Sequence, residues 1–292
     1  MKLSIIIINY NGGTYIQACL DSLFASGIKD PFEVIVFDNH SEDRSIETLR
    51  QYGSKITLIE NKENIGFSRG NNACLPYCSG ELLLLLNNDT YIKKGAIQSM
   101  IDYYEKTSQI GALSPKLLNE DGSIQIQGSS LGAWRFKSKN PRKVPFICGA
   151  ALMISKTLYN EIGGLDENVF FYNDDIILCK ELKKRQKDIH YLPSAEVIHY
   201  GGLSTKTRKK HCIIDGYKGS LYISYRFYPK VIHYLHRLVL LLDLIPRILI
   251  TGLFTLFKRE NLDHLRAYMI VLRVNLCGNF MPENINERKK EC

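Results

Sequence analysis

The sequence predicts an α/β protein: a mostly parallel, doubly wound sheet with helices on both faces. Three observations lead there. Residues 81–90 read ELLLLLNNDT, and an apolar run this short, bounded by polar residues, is a strand buried on both faces. Strand-like and helix-like patterns alternate through the first hundred residues, as in a chain of βα units. Asp38 directly follows an apolar strand and Asp89 follows one after Asn87 and Asn88, where ligands of open α/β sheets bind.

The elements follow in order. Leu3 to Ile8 is β-rich, Thr14 to Ala25 has helical apolar spacing, Phe32 to Phe37 is a second strand and Asp43 to Tyr52 a helix. A strand over Ile56 to Ile59 and a helix over Ser68 to Tyr77 precede the leucine strand, and a helix over Lys93 to Lys106 follows it. From Ile110 the alternation stops. A strand to Leu117 and a turn at Asn119–Gly122 lead into Gly128–Pro145, which is rich in Gly, Lys, Ser and Pro and reads as a mobile loop. An apolar segment over Phe146 to Ile154, a helix ending in Lys183-Lys184-Arg185 and a strand near Val197 come next. Residues 213–275 are helical and more apolar.

The charge is unevenly placed. Lys206–Cys292 carries 16 Lys/Arg against 7 Asp/Glu, so the whole net charge of +8 lies in the C-terminal third. The longest apolar run is there too, which favours an anionic membrane surface as partner; no motif that reads nucleic acid is present. The eight cysteines form no C-x-x-C pair and read as reduced thiols in a cytosolic protein. The N-terminal apolar stretch breaks into Asn9, Tyr10 and Asn11 without a cleavage site, and is a strand rather than a signal peptide.

Four polar clusters carry the chemistry. Asp38 can accept hydrogen bonds from a ribose or base, or it shapes the turn with Asn39, Ser41 and Asp43 and caps the next helix. In Asn64-Ile65-Gly66-Phe67-Ser68-Arg69-Gly70-Asn71-Asn72 the glycines allow close approach of a ligand, and Arg69 suits phosphate. Asp89 is placed for a hard divalent cation bridging to a diphosphate, or for an ordinary cap. Asp174 and Asp175 open a helix, whose dipole favours them there; alternatively one of them is a general base for an acceptor hydroxyl.

The order of Asp38, NIGFSRGNN, LLLLLNND, the CGAALMI segment from Cys148, GGLDENVFFYNDD and VIHYGGLS from Val197 resembles family 2 glycosyltransferases, specifically the rhamnosyltransferase-like bacterial branch with the GT-A fold. The resemblance, which covers residues 3 to about 205, implies a GT-A domain over residues 1–210, with a nucleotide half to about 110 and an acceptor half beyond it; the helical region over 211–292 is expected from its own apolar and basic composition to associate with a membrane. The resemblance also implies a nucleotide site of Asn9, Tyr10, Asn11, Asp38, Asn64, Gly66, Phe67, Arg69, Gly70, Asn71 and Asn88. Asp89 and His199 would hold Mn²⁺ or Mg²⁺, and Asp175, paired with Asp174, would be the base. The implied donor is a dTDP- or UDP-sugar, dTDP-rhamnose foremost, and the acceptor a glycan or a polyprenyl-diphosphate-linked glycan, in cell-surface polysaccharide synthesis. Without the resemblance, His199 also reads as a partly buried histidine satisfied by backbone.

Three departures stand out. Asn87 replaces a first acid, leaving Asp89 as the charged ligand of its strand; Ile177 and Glu181 stand where the branch has an acid and often an arginine. In the C-terminal third, Leu238–Phe257 is long enough to span a bilayer but contains Asp243, Pro246 and Arg247, so it is expected to lie on the inner face of the cell membrane. Ser204–His211 is a basic run suited to headgroups or to an acceptor diphosphate. A weakly active binding scaffold is the alternative. A dinucleotide oxidoreductase is remoter, because the turn Asn11-Gly12-Gly13 lacks G-x-G-x-x-G.

Overall fold

The computed structural model describes residues 1–128, 130–201, 209–255, 261–278 and 280. The chain divides into two compact units, one of Met1–Asp166 with Asp174–Ser204, the other of Glu167–Asn173 with Thr205–Cys292.

The first unit runs β1 (Leu3–Asn9), α1 (Gly13–Phe24), β2 (Phe32–Asp38), α2 (Ser45–Gln51), β3 (Thr57–Glu60), α3 (Phe67–Ala73), β4 (Leu82–Asn87), β5 (Thr90–Ile92) and α4 (Ala96–Lys106). It continues with β6 (Ile110–Leu118), β7 (Arg142–Lys143), β8 (Ala151–Ser155), α5 (Lys156–Glu161), α6 (Asp174–Lys184) and β9 (Asp188–His199). The sheet has the order β3-β2-β1-β4-β8-β6-β9-β5, with β7 on β9. The expected parallel winding occupies β1 to β4. Beyond β4 the sheet is mixed: β8 runs antiparallel to β4 and β6, β5 and β7 run antiparallel to β9, and β6 and β9 are parallel.

The leucine strand shows why this sheet is stable. Leu82, Leu84 and Leu86 enter one apolar cluster with α1 and α4, while Leu83 and Leu85 enter another with α5 and α6. β1 divides likewise, with Ile5 and Ile7 on one side and Ile6 and Ile8 on the other. Each such leucine contributes roughly 1.5–3 kcal/mol of burial, so both strands are rigid supports for whatever stands at their ends.

The segment expected to be a mobile loop is built differently. Ser130–Lys137 forms a 3₁₀ turn and Arg142–Lys143 a short strand on β9. Phe136 is buried against Tyr191, whose hydroxyl donates to the Phe136 carbonyl at 2.8 Å. One buried aromatic ring therefore anchors a sequence whose composition reads as loop.

The second unit is helical: α7 (Lys209–Phe227), α8 (Lys230–Thr255) and α9 (Asn261–Cys277), packed around Ile214, Leu244, Ala267 and Val271. Of the basic run Ser204–His211, residues 204–208 lie outside the described residues, as do Gly202 and residues 256–257 of the apolar stretch.

Candidate active site

Register places the polar strand ends side by side. β1 pairs Asn9 with Asp38 of β2, and Ile8 with Asn87 of β4. Asn9 is the hub: its Nδ2 donates to Asp38 Oδ1 (2.8 Å), Ser45 Oγ (2.9 Å) and Ser41 Oγ (3.1 Å), and its Oδ1 accepts from Asn88 Nδ2 (3.0 Å). Asp38 is wholly buried and also accepts from the Ser41 backbone N–H (2.9 Å) and hydroxyl (2.6 Å). These contacts tie its carboxylate to the turn after β2. Asn11, at φ 50°, takes the Ser41 hydroxyl oxygen on its backbone N–H and the Glu42 N–H on its side chain.

Gly12 makes this hub possible. A Cβ there would collide with Asn9 Oδ1 and come within 2.7 Å of Asn88 Nδ2, so only glycine lets the first turn close over the Asn9–Asn88 bridge.

A second loop is tied to the first. Asn39 Nδ2 donates to Asn64 Oδ1 (2.9 Å) and to the Gly66 carbonyl (3.2 Å), while its Oδ1 accepts the Ile65 N–H (2.8 Å). Gly66 has φ 90°, a conformation a side chain would strain. Gly70 lies over Ile8 and Phe37, where a Cβ would come within 3.2 Å of Ile8. Phe67 packs on the core beside it, and Arg69 and Tyr10 are partly exposed. Asn71 is buried with its Oδ1 lacking a hydrogen-bond partner, as does Ser68 Oγ on the same helix. Of the expected nucleotide residues, Asn9, Asn11, Asp38 and Asn88 share one network and Asn64 and Gly66 a second, joined through the adjacent residues Asp38 and Asn39.

Asp89 lies in the turn where the chain leaves β4 and joins β9 through β5. β5 pairs Thr90 with His199, and the Tyr200 N–H donates to the Asp89 carbonyl at 3.0 Å. This brings His199 Nε2 to 3.3 Å from Asp89 Oδ1 and 3.3 Å from Asn87 Nδ2. On the other side of the ring, Nδ1 is 2.7 Å from Gln125 Oε1. An amide oxygen only accepts, so Nδ1 donates to Gln125, which orients the ring and leaves Nε2 as the nitrogen that faces Asp89 and Asn87. The Asp89 carboxylate is a ligand type that suits Mn²⁺ or Mg²⁺, and the imidazole nitrogen beside it is close enough to share a cation with it. Among the described residues no group of three His, Cys, Asp or Glu surrounds one point.

The acid pair opens α6 after Tyr172 (φ 66°) and Asn173 (φ 67°). Two successive non-glycine residues in the left-handed region store strain of about 1–3 kcal/mol each. Asp175 accepts N–H bonds from Ile176 (2.8 Å) and Gly149 (3.3 Å). Burial pushes both carboxyls up, Asp174 further because Asp175 stands beside it. Asp175, with its two donors, is the one of the pair better able to hold charge. Burial also pushes the neighbouring Cys148 thiol up to about 12, and Asp175, Asp174 and Asp89 all act in the same direction. Cys148 is therefore within electrostatic reach of both acidic corners.

Three residues that sequence reasoning passed over complete the frame: Gly12, Gln125 and Gln127. Gln127 accepts the Cys148 N–H (2.9 Å) and donates to the Pro115 carbonyl (3.0 Å), fixing the turn that presents Gly149. Gln125 and Gln127 alternate with Ile124 and Ile126, and that period of two was the available signal. Two of the three departures have structural roles: Ile177 is buried in the core, and Glu181 pairs with Arg185 (3.0 Å) and Lys184 (3.4 Å).

The family described as Glycosyl transferase family 2 matches residues 4–163. An N-acetylglucosaminyl-diphospho-decaprenol L-rhamnosyltransferase of Mycobacterium tuberculosis is 26% identical over 238 residues, covering 70% of this chain and 77% of that protein. The low-salt glycan biosynthesis hexosyltransferase Agl10 of Haloferax volcanii is 31% identical over 214 residues, 68% of this chain and 66% of its own length. Among solved structures, the mannosyltransferase PcManGT of Pyrobaculum calidifontis, in complex with GDP-Man and Mn²⁺, aligns with a TM-score of 0.62 at 16% identity over 94% of this chain and 87% of that one. That likeness is one of fold.

Proposed function

The chain belongs to glycosyl transferase family 2, and on that premise we propose that it moves a hexose, rhamnose foremost, from a dTDP- or UDP-sugar to a glycan or polyprenyl-diphosphate-linked acceptor, with inversion and with a divalent metal. Two similar proteins support the sugar and acceptor classes: one is a rhamnosyltransferase named for a decaprenol-diphosphate substrate, the other a hexosyltransferase of glycan biosynthesis. Family membership sets aside the oxidoreductase reading.

The observation that carries the mechanism is the meeting of the strand-end network, the Asp89–His199 pair and the Gly149–Asp175 contact on one fold unit. The network around Asn9, with Asn64, Gly66, Phe67, Arg69, Gly70 and Asn71 beside it, is the nucleotide site, in which Asp38 holds the loop rather than standing free. Asp175 takes the proton of the acceptor hydroxyl as its oxygen bonds to the anomeric carbon; the bond to the phosphate oxygen breaks and the nucleoside diphosphate leaves with the electron pair. Attack opposite the leaving group inverts the centre. Asp89 and His199 would hold Mn²⁺ or Mg²⁺, which when bound neutralises the leaving diphosphate.

The second unit supports work at the inner face of the cell membrane. α8 has a mean hydropathy of 2.0 over its most apolar window, and little of that window is buried. Its Asp243 is held by Arg247 (2.9 Å) and by the Tyr217 hydroxyl of α7 (2.7 Å). A paired charge on the face toward α7 and an apolar face with Leu235, Leu238, Leu242 and Leu249 exposed suit a helix lying on a bilayer.

The test is transfer from a panel of nucleotide sugars to a lipid-linked acceptor, with NMR of the product's anomeric configuration. Inverted product is expected, lost on chelation, restored by Mn²⁺ and absent in Asp89→Ala. Retained configuration refutes the single displacement, and undiminished transfer in chelator refutes the metal.

A further inference from the structure

From Gly122 to Asn160 the chain has no acidic residue, and five cations fall within nine positions: Arg135, Lys137, Lys139, Arg142 and Lys143. Beside them stands Trp134, 58% exposed, with the guanidinium carbons of Arg135 and Arg142 each 4.8 Å from its ring centroid. The group is held in place. Phe136 is buried against Tyr191, and β7 pairs Arg142 with Tyr191 and Lys143 with His190. Among the described residues, the ion pair this segment makes is Lys143 with Asp188 at 2.6 Å. The largest apolar side chain of the protein is thus displayed on a fixed base, ringed by positive charge that no acid on its own segment offsets.

We propose that Trp134 and its cations form a docking surface for anionic phospholipid headgroups, a membrane contact of the catalytic unit separate from the helices of the second unit. Indole seats at the boundary of headgroup and acyl chain, with its ring on the apolar side and its N–H in the polar layer. Lysine and arginine beside it gain from the negative surface potential of anionic lipid. A nucleic acid would meet the same charge, but the ring on which a base would stack already packs against two guanidiniums. The inference rests on the membrane-surface reading above and adds to it a second, independent point of contact.

Trp134 is the only tryptophan in the chain, so its emission reports this surface and no other. The full chain would be titrated with phosphatidylcholine vesicles, with and without phosphatidylglycerol, following tryptophan emission and co-sedimentation together. The expected result is a blue shift with anionic vesicles only, quenched by lipids brominated on their acyl chains and weakened by salt. Arg135→Gln with Arg142→Gln should require roughly tenfold more lipid for the same shift. Co-sedimentation with unchanged emission overturns this proposal while leaving the second unit's membrane contact standing; failure of both signals overturns the two readings together. The same blue shift with inorganic pyrophosphate or an RNA oligonucleotide, without vesicles, overturns the lipid assignment.

Discussion

At the strand ends, Asp38 sits in a socket of donors supplied by Asn9 and by both the backbone and hydroxyl of Ser41. At the start of α6, Asp175 has the N–H groups of Ile176 and Gly149, and Asp174 beside it is buried with a like charge for a neighbour. The first region is saturated: its polar atoms satisfy one another and set the shape of two loops. The second is strained and holds carboxyls whose burial raises their proton affinity. A binding surface gains from rigidity, because ordering has been completed before the ligand arrives. A base gains from an environment that moves its proton affinity toward the working pH. With the roles proposed above, the two halves of the site meet different demands by opposite means.

Removing the base should separate the halves most sharply. Asp175→Asn is expected to lower transfer by about 10²–10⁴-fold, leaving nucleotide-sugar binding, read by thermal shift, within about twofold. The wild type should lose rate as pH falls through a value above the ordinary carboxylate range, since the acting form is unprotonated and burial raises its affinity for the proton. An acid limb at the ordinary carboxylate position, or wild-type rates in the variant, would rule Asp175 out as base.

Next in size is the link between Gln125 and His199. Gln125→Leu removes the acceptor for Nδ1–H and should weaken Mn²⁺ binding about 10–100-fold, while Gln125→Glu, which still accepts that proton, should keep most of it. Manganese titration by EPR measures the affinity, and imidazole ¹⁵N shifts show which nitrogen is protonated. A loss of affinity with the Nδ1–H form unchanged would mean that Gln125 acts some other way.

Gly12→Ala attacks the saturated region. The new methyl collides with Asn9 and crowds Asn88, so the bridge between them must open. A loss of about 1–3 kcal/mol in unfolding free energy is expected, from overpacking and from buried amides left short of partners. Denaturant unfolding checks this, and because Gly12 itself has φ −74°, which alanine adopts freely, the loss reads the clash and not backbone strain.

How far the sequence reveals this design depends on range. The leucine strand and the strand-end residues Asn9, Asp38 and Asn88 are legible because burial on both faces leaves a pattern within ten residues. The meeting of Asp89 with His199 is not legible from spacing. It is made by β5, whose three residues are too few to show a period, pairing with a strand over a hundred positions away; ordered motifs shared with a family pointed to it instead. Gln125 lay hidden in a stretch that forms no regular strand, and the turn anchored by Phe136 lay in a composition typical of loops. Their partners, His199 and Tyr191, lie 74 and 55 positions away, again beyond the reach of any local pattern.

An effect confined to part of the pH range concerns Asp174, the costlier member of the acid pair to bury as a charge. Its proton affinity is raised in the folded state, first by burial and then by Asp175. Folding therefore favours the protonated form: the contribution to stability is full below the ordinary carboxylate range and is lost as pH rises through the raised value. Asp174→Asn stays neutral throughout, so it should match the wild type in acid and exceed it by roughly 1–3 kcal/mol above neutrality. Urea unfolding across that pH range reads the difference directly. A variant that is less stable than the wild type at every pH would mean that Asp174 holds a partner its charge requires, and the acid corner would then be as saturated as the strand ends.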